Sequence, residues 1–147
     1  MGSEMCIRDR HYNVYAESMA YGGYSLGGLA AIYSLYFDET FSTIFSVCGS
    51  FWYPGFADYV VNNNVKNRNA AVYLLNGEQE GVNHGNLLEQ APVKAHMVHE
   101  HLMSVMNAVS IFDEYGHHEN KSERINRLLS VLTGMEGSYE NGGKETK

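Results

Sequence analysis

Ser25 is the residue in this chain best placed to act as a nucleophile. It stands at the centre of Gly23-Tyr24-Ser25-Leu26-Gly27, a G-x-S-x-G motif. A short apolar run, Met19 to Tyr24, precedes it, and a stretch with helical spacing, Gly27 to Phe37, follows. In a strand–turn–helix setting this motif is a nucleophile elbow. The serine sits on a tight, strained turn that lifts its hydroxyl above a sheet. Side chains at positions 23 and 27 are expected to collide with the neighbouring strand or helix. The helix start just beyond Ser25 offers free N–H groups and a partial positive charge. The Leu26 N–H is the expected first oxyanion donor. No Lys follows as a phosphate loop requires, and the dinucleotide pattern G-x-G-x-x-G is absent.

A serine nucleophile needs a base and an acid, which in this arrangement follow in the order Ser, acid, His. Tyr115-Gly116-His117-His118-Glu119 comes after the last predicted strand, so one of the two histidines should reach Ser25. The acid should follow the preceding strand, within Asn76-Gly77-Glu78-Gln79-Glu80; Glu80 is the first choice and Glu78 the second. Tyr24, Trp52 and Tyr53 are the expected substrate contacts. The aromatic loop Phe51–Phe56 could form an apolar wall for an acyl or aryl group, or simply cap the core. His96, His99 and His101 cluster on one predicted helix without Cys partners at zinc-binding spacing, which points to a solvated face. Cys48, in a predicted buried strand, is read as packing.

The elements that must position these groups alternate. Strands are expected at Met19–Tyr24, Thr43–Cys48, Ala70–Leu75 and Ala108–Tyr115, from runs rich in β-branched and aromatic residues. Helices are expected over Gly27–Phe37, 57–67, 86–107 and 119–133, with Asn76-Gly77 as a turn. In the third helix Ala91, Ala95, Val98, Leu102 and Val105 form one stripe, and Pro92 belongs in the first turn. In the fourth, Ile125, Leu128, Leu129 and Leu132 share a face. Strand–helix alternation with short buried strands implies an α/β fold, a parallel sheet with helices on both faces. Functional groups then gather at the C-terminal ends of the strands.

Composition sets the outer bounds. A chain of 147 residues, 44% hydrophobic and 18% charged, reads as one globular domain. The net charge of −7 supplies no basic footprint for nucleic acid or an anionic membrane. Two Cys make no disulfide framework, and no apolar run approaches the ~20 residues of a membrane span. No charged stretch followed by an apolar one opens the chain, so the expected location is the cytoplasm. Residues 1–10 are polar and aperiodic and read as a leader foreign to the domain; residues 134–147, rich in Gly, Glu and Lys, read as a flexible tail.

The stretch Gly22–Phe56 resembles an esterase family of the α/β-hydrolase superfamily that includes esterase D and the enterochelin esterases, which cleave ferric siderophores. Its G-Y-S-x-G-G is matched by Gly23–Gly28, its L-A-L-Y helix by Leu29–Tyr36, and its S-G-S-x-W by Gly49–Trp52. A strand ending in L-G-x-x-E is matched by Leu75, Gly77 and Glu80, with Asn76 inserted. The closing G-x-H with a later Arg is matched by Gly116, His118 and Arg124, which selects His118 over His117 as the base. The resemblance covers about residues 19–133 and implies a serine-dependent carboxylic ester hydrolase. Ser25 would be nucleophile, His118 base, Glu80 acid and Leu26 N–H oxyanion donor, with a small-molecule ester as partner and no metal or organic cofactor. An acyltransferase would use the same chemistry.

Only about one strand is expected before Ser25, whereas the hydrolase fold places several there and takes its second oxyanion donor from one of their loops. Residues 11–133 are therefore expected to form the C-terminal portion of an α/β-hydrolase domain, with its N-terminal strands missing. Such a fragment could be inactive and only bind. The sheet edge beside residues 19–24 would then favour self-association.

Overall fold

The structure, a computed structural model, describes residues 19–132. The expected leader and tail lie outside the described residues. Four strands, β1 (Ala20–Tyr24), β2 (Thr43–Val47), β3 (Ala71–Gly77) and β4 (Ala108–Asp113), alternate with four helices. These are α1 (Leu26–Ser34), α2 (Phe56–Asn62), α3 (Ala91–Val105, entered through a 3-10 turn at Leu87–Gln90) and α4 (Lys121–Leu132). The strands pair in chain order, every pair parallel. The α/β architecture read from the alternation is the one present.

The register decides where the chemistry gathers. Tyr24 lies opposite Val47, Val47 opposite Leu75, and Leu75 opposite Ile111. The residues just beyond these, Ser25, Cys48 and Asn76, therefore come out along one rim. The period of two sends Ile44, Val72 and Leu74 to one face. There they pack with Ile32 of α1, Leu35 just past its end, Val60 of α2, and Val98 and Leu102 of α3. Each such fully buried side chain contributes about 1.5–3 kcal/mol. On the other face Val47 and Leu75 meet Tyr24, Ile111 and Leu128 of α4.

Two local expectations give way. Asn76-Gly77 is not a turn but the end of β3, because Asn76 pairs with Phe112 and Gly77 with Asp113. A side chain at 77 has no room: a Cβ there would lie 2.0 Å from the Tyr115 carbonyl oxygen. On α4, Ile125 and Leu129 are about half exposed while Arg124 is 1% exposed. The inward side of that helix centres on a cation, whose partners are described below, and on Leu128. Pro92 falls in the first turn of α3 as expected, and the α3 stripe faces the core at Ala91, Ala95, Val98 and Leu102. Among the described residues no helix is long and apolar enough to cross a membrane.

Candidate active site

Ser25 joins β1 to α1 with φ +61° and ψ −119°. A non-glycine residue there is strained by about 1–3 kcal/mol and persists only where its surroundings fix it. They do so from three sides. Ser25 N–H donates to the Val47 carbonyl at 3.0 Å, and the Ser25 carbonyl accepts from Leu29 N–H and Ser50 N–H, each at 3.1 Å.

The glycines around it are unequal. A Cβ at Gly23 would sit 2.6 Å from the carbonyl carbon of Gly27, and one at Gly28 would sit 2.4 Å from Ser46 Oγ and 3.0 Å from Gly49 Cα. At Gly27 a Cβ would meet nothing within 4 Å. The expected collision at 27 is thus absent, and the tight approaches are at 23 and 28. Gly27→Ala should therefore fold with unchanged or slightly higher stability, up to about 1 kcal/mol from helix propensity. Gly23→Ala should lower the melting temperature and the yield of folded protein. Thermal denaturation of the two variants side by side checks this.

Ser25 Oγ lies 3.1 Å from His117 Nε2, and His117 Nδ1 lies 2.6 Å from Glu80 Oε1. Because a carboxylate only accepts, His117 donates from Nδ1 and its Nε2 receives the Ser25 hydroxyl proton. Ser50 Oγ, 3.2 Å from Ser25 Oγ, must then donate to it. Serine, imidazole and carboxylate stand in a hydrogen-bonded line. The imidazole in it is His117, not His118. His118 is exposed, with its ring edge-on to His117 at 4.7 Å.

The loop backbone explains the choice. Arg124 Nη1 donates to the carbonyls of Gly116 (3.0 Å) and His117 (3.3 Å), and the Tyr24 hydroxyl also donates to the His117 carbonyl. With its carbonyl fixed toward the sheet, residue 117 turns its ring to Ser25 and residue 118 faces outward. Arg124 is itself held by two bonds to Asp113, Nε to Oδ2 at 2.7 Å and Nη2 to Oδ1 at 2.6 Å. Burial opposes its charge, but the Asp113 carboxylate more than restores it, so Arg124 stays protonated.

Of the two candidate acids, Glu80 is 4% exposed and Glu78 lies outside the line, paired instead with His96 Nε2 at 3.0 Å. Glu80 Oε2 accepts from Asn76 Nδ2 at 2.9 Å and from Gly77 N–H at 3.1 Å. Burial alone would raise its pKa, but the hydrogen bonds from His117, Asn76 and Gly77 outweigh it and hold the carboxyl below its ordinary 4.5.

His99 departs from the solvated-face expectation. It is 1% exposed and sits against Phe112, with Nε2 2.8 Å from Asn76 Oδ1 and Nδ1 2.8 Å from Ser110 Oγ. His96, on the same side of α3, stacks flat on Phe112 at 3.8 Å. Burial pushes His99 down to about 3, with the neighbouring His96 charge adding to it. A folded pKa below the unfolded 6.5 means stability that is full above 6.5 and drains away as pH falls toward 3. Glu80 acts in the same sense below 4.5. Urea unfolding at pH 7 and pH 5 should show wild type losing stability at pH 5, and His99→Gln losing markedly less.

Cys48 is fully buried with φ +52°, and burial, then the Glu80 charge, pushes its thiol up to about 12. Among the described residues, Cys48, Glu80 and His117 are the one group whose ligand atoms, all within 4.8 Å, could hold a metal ion. Glu80 and His117 are already bonded to each other.

A cleft of about 440 Å³ opens over Ser25 and His117, walled by Ser50, Trp52, His84 and His118 among others. Trp52 is the one expected substrate contact that lines it. Tyr24 faces a groove beneath α4 beside Phe45 and Leu128, and Tyr53 is 53% exposed and outside the cleft wall. Sequence reasoning missed Asn76, His99, Ser110 and Asp113. For Asn76 and Asp113, polar residues ending the apolar strands β3 and β4, that position was the available signal.

No family model matches the chain. It is 30% identical over 97 residues to "Uncharacterized protein YbbA" of Bacillus subtilis (strain 168), an alignment that covers 64% of this chain. The chain spans 39% of the length of that relative.

Proposed function

We propose that this chain carries the catalytic centre of a serine-dependent carboxylic ester hydrolase. One observation carries the reading: a strained serine at a strand–helix junction, 3.1 Å from an imidazole that is itself 2.6 Å from a buried carboxylate. As Ser25 Oγ attacks an ester carbonyl carbon, its proton passes to His117 Nε2. Glu80 holds the ring orientation and stabilises the imidazolium. The carbonyl oxygen gains the negative charge beside the Leu26 N–H, the first of α1, which has no acceptor within its own helix. His117 then protonates the leaving alkoxide, giving an alcohol and an acyl-serine. A water gives its proton to the same Nε2, attacks the acyl carbon and releases the acid, returning the proton to Ser25.

The elbow, the register that aligns Ser25 with the ends of β2 and β3, and the cleft beside Trp52 support this reading. The test treats the purified chain and Ser25→Ala with a fluorophosphonate probe and a short-chain nitrophenyl ester. Wild type should label and hydrolyse while the variant does neither. An unlabelled wild type sinks the hydrolase reading, and equal labelling of both removes Ser25 as nucleophile.

A further inference from the structure

We infer that Asn76 and His99 are positioning residues of the Ser25 site, forming with the partly buried Ser110 a relay that fixes the rotation of the Glu80 carboxylate. The inference rests on the proposed hydrolase reading only for its kinetic readout; the relay itself stands on geometry.

The hydrogen-bond assignment along the relay has one solution. Asn76 Nδ2 faces Glu80 Oε2 at 2.9 Å and the Gly49 carbonyl at 3.2 Å, both of which only accept. The amide nitrogen must therefore be on that side, and Oδ1 must face His99. An amide oxygen only accepts, so His99 carries its proton on Nε2. Its Nδ1 lone pair then receives the Ser110 hydroxyl proton at 2.8 Å. Each group is satisfied in one orientation, from β4 through α3 and β3 to the carboxylate.

The consequence falls on Glu80. Its Oε2 is held by Asn76 Nδ2 and Gly77 N–H, which leaves Oε1 aimed at His117 Nδ1. A carboxylate held by Gly77 alone could rotate about its last bond and present Oε1 poorly to the imidazole. Asn76, at 1% exposed, can itself turn, and His99 stops it. His99 is in turn confined by Phe51 and Phe112 rings on two sides. A neutral imidazole suits this position because a second cation behind Asn76 would compete with His117 for the carboxylate.

The test uses the full 147-residue chain, wild type, His99→Phe and His99→Gln, since a Gln amide can place an N–H where Nε2 stood. Proton NMR should show a far-downfield His117 Nδ1–H signal in wild type and His99→Gln, and an upfield shift or loss in His99→Phe. Nitrogen-15 histidine shifts should report His99 as the Nε2–H tautomer. Fluorophosphonate labelling of Ser25 should slow about 10-fold or more in His99→Phe, as supporting groups behind a site usually cost, and recover to within about threefold in His99→Gln. If His99→Phe does not fold, Ser110→Ala removes the far end of the relay and should move the same signal in the same direction. A downfield proton and a labelling rate unchanged in His99→Phe, or in Ser110→Ala, overturn the inference. A wild type that shows the NMR contrast without labelling leaves the relay standing and removes the hydrolase reading instead.

Discussion

His117→Ala is expected to lower kcat/KM for a nitrophenyl ester by roughly 10⁴-fold or more, while His118→Ala stays within a few-fold of wild type. The two residues are neighbours in sequence and differ only in which way the loop turns them. His117 Nε2 is within hydrogen-bond reach of Ser25 Oγ, and its other nitrogen is committed to Glu80. Without that ring no base takes the Ser25 proton as the hydroxyl attacks, and an unassisted serine hydroxyl is a poor nucleophile. The His118 ring is exposed at the cleft mouth, so its loss can change substrate affinity but not proton transfer. Steady-state kinetics separates the outcomes, because His118→Ala should act on KM and His117→Ala on kcat. A large kcat loss in His118→Ala would restore the assignment made from G-x-H spacing.

Arg124→Met should destabilise the fold by about 3–5 kcal/mol, the usual cost of removing one partner of a buried ion pair. In a chain of this size that lowers the melting temperature by roughly 10 °C or more. Arg124 is 1% exposed and makes four hydrogen bonds, two to Asp113 and one each to the Gly116 and His117 carbonyls. Methionine fills much of the volume but leaves the Asp113 carboxylate, 14% exposed, without its counter-charge. Thermal denaturation and labelling should both suffer, since the same guanidinium holds the loop that carries His117. Asp113→Leu combined with Arg124→Met should recover part of the stability but not the labelling rate. That contrast separates the folding role of the pair from its role in holding the loop.

The sequence made the sheet legible because its strands are short apolar runs bounded by turn residues, as in Thr43–Val47 before Gly49-Ser50. Ser25 and Glu80 were legible for a related reason. A motif between strand and helix has one geometric use, and a carboxylate just past a strand has one rim to occupy. Three features were not. Whether 117 or 118 faces inward depends on what holds the carbonyl of 117, and its donors come from two other elements, α4 nearby in the chain and β1 far from it. His99 looked like one of three surface histidines because helical spacing shows which residues share a face but not how deep that face lies. Arg124 shares α4 with Ile125, Leu128 and Leu129, and apolar periodicity alone could not reveal that a salt-bridged cation would take the inward position. Each miss concerns a polar group whose burial is offset by a partner on another element.

Tyr24 gives the site a mechanical property. Tyr24 and Ser25 are consecutive, and both reach His117: the phenol binds its carbonyl and the serine hydroxyl binds its ring. Strands β1 and β4 lie at opposite ends of the strand order, so twisting of the sheet between them would ordinarily change the distance from nucleophile to base. The phenol bridges that gap beside the reacting atoms. Residues 24 and 25 thereby tie the His117 loop to β1 at two points, its carbonyl and its ring, without passing through β2 or β3.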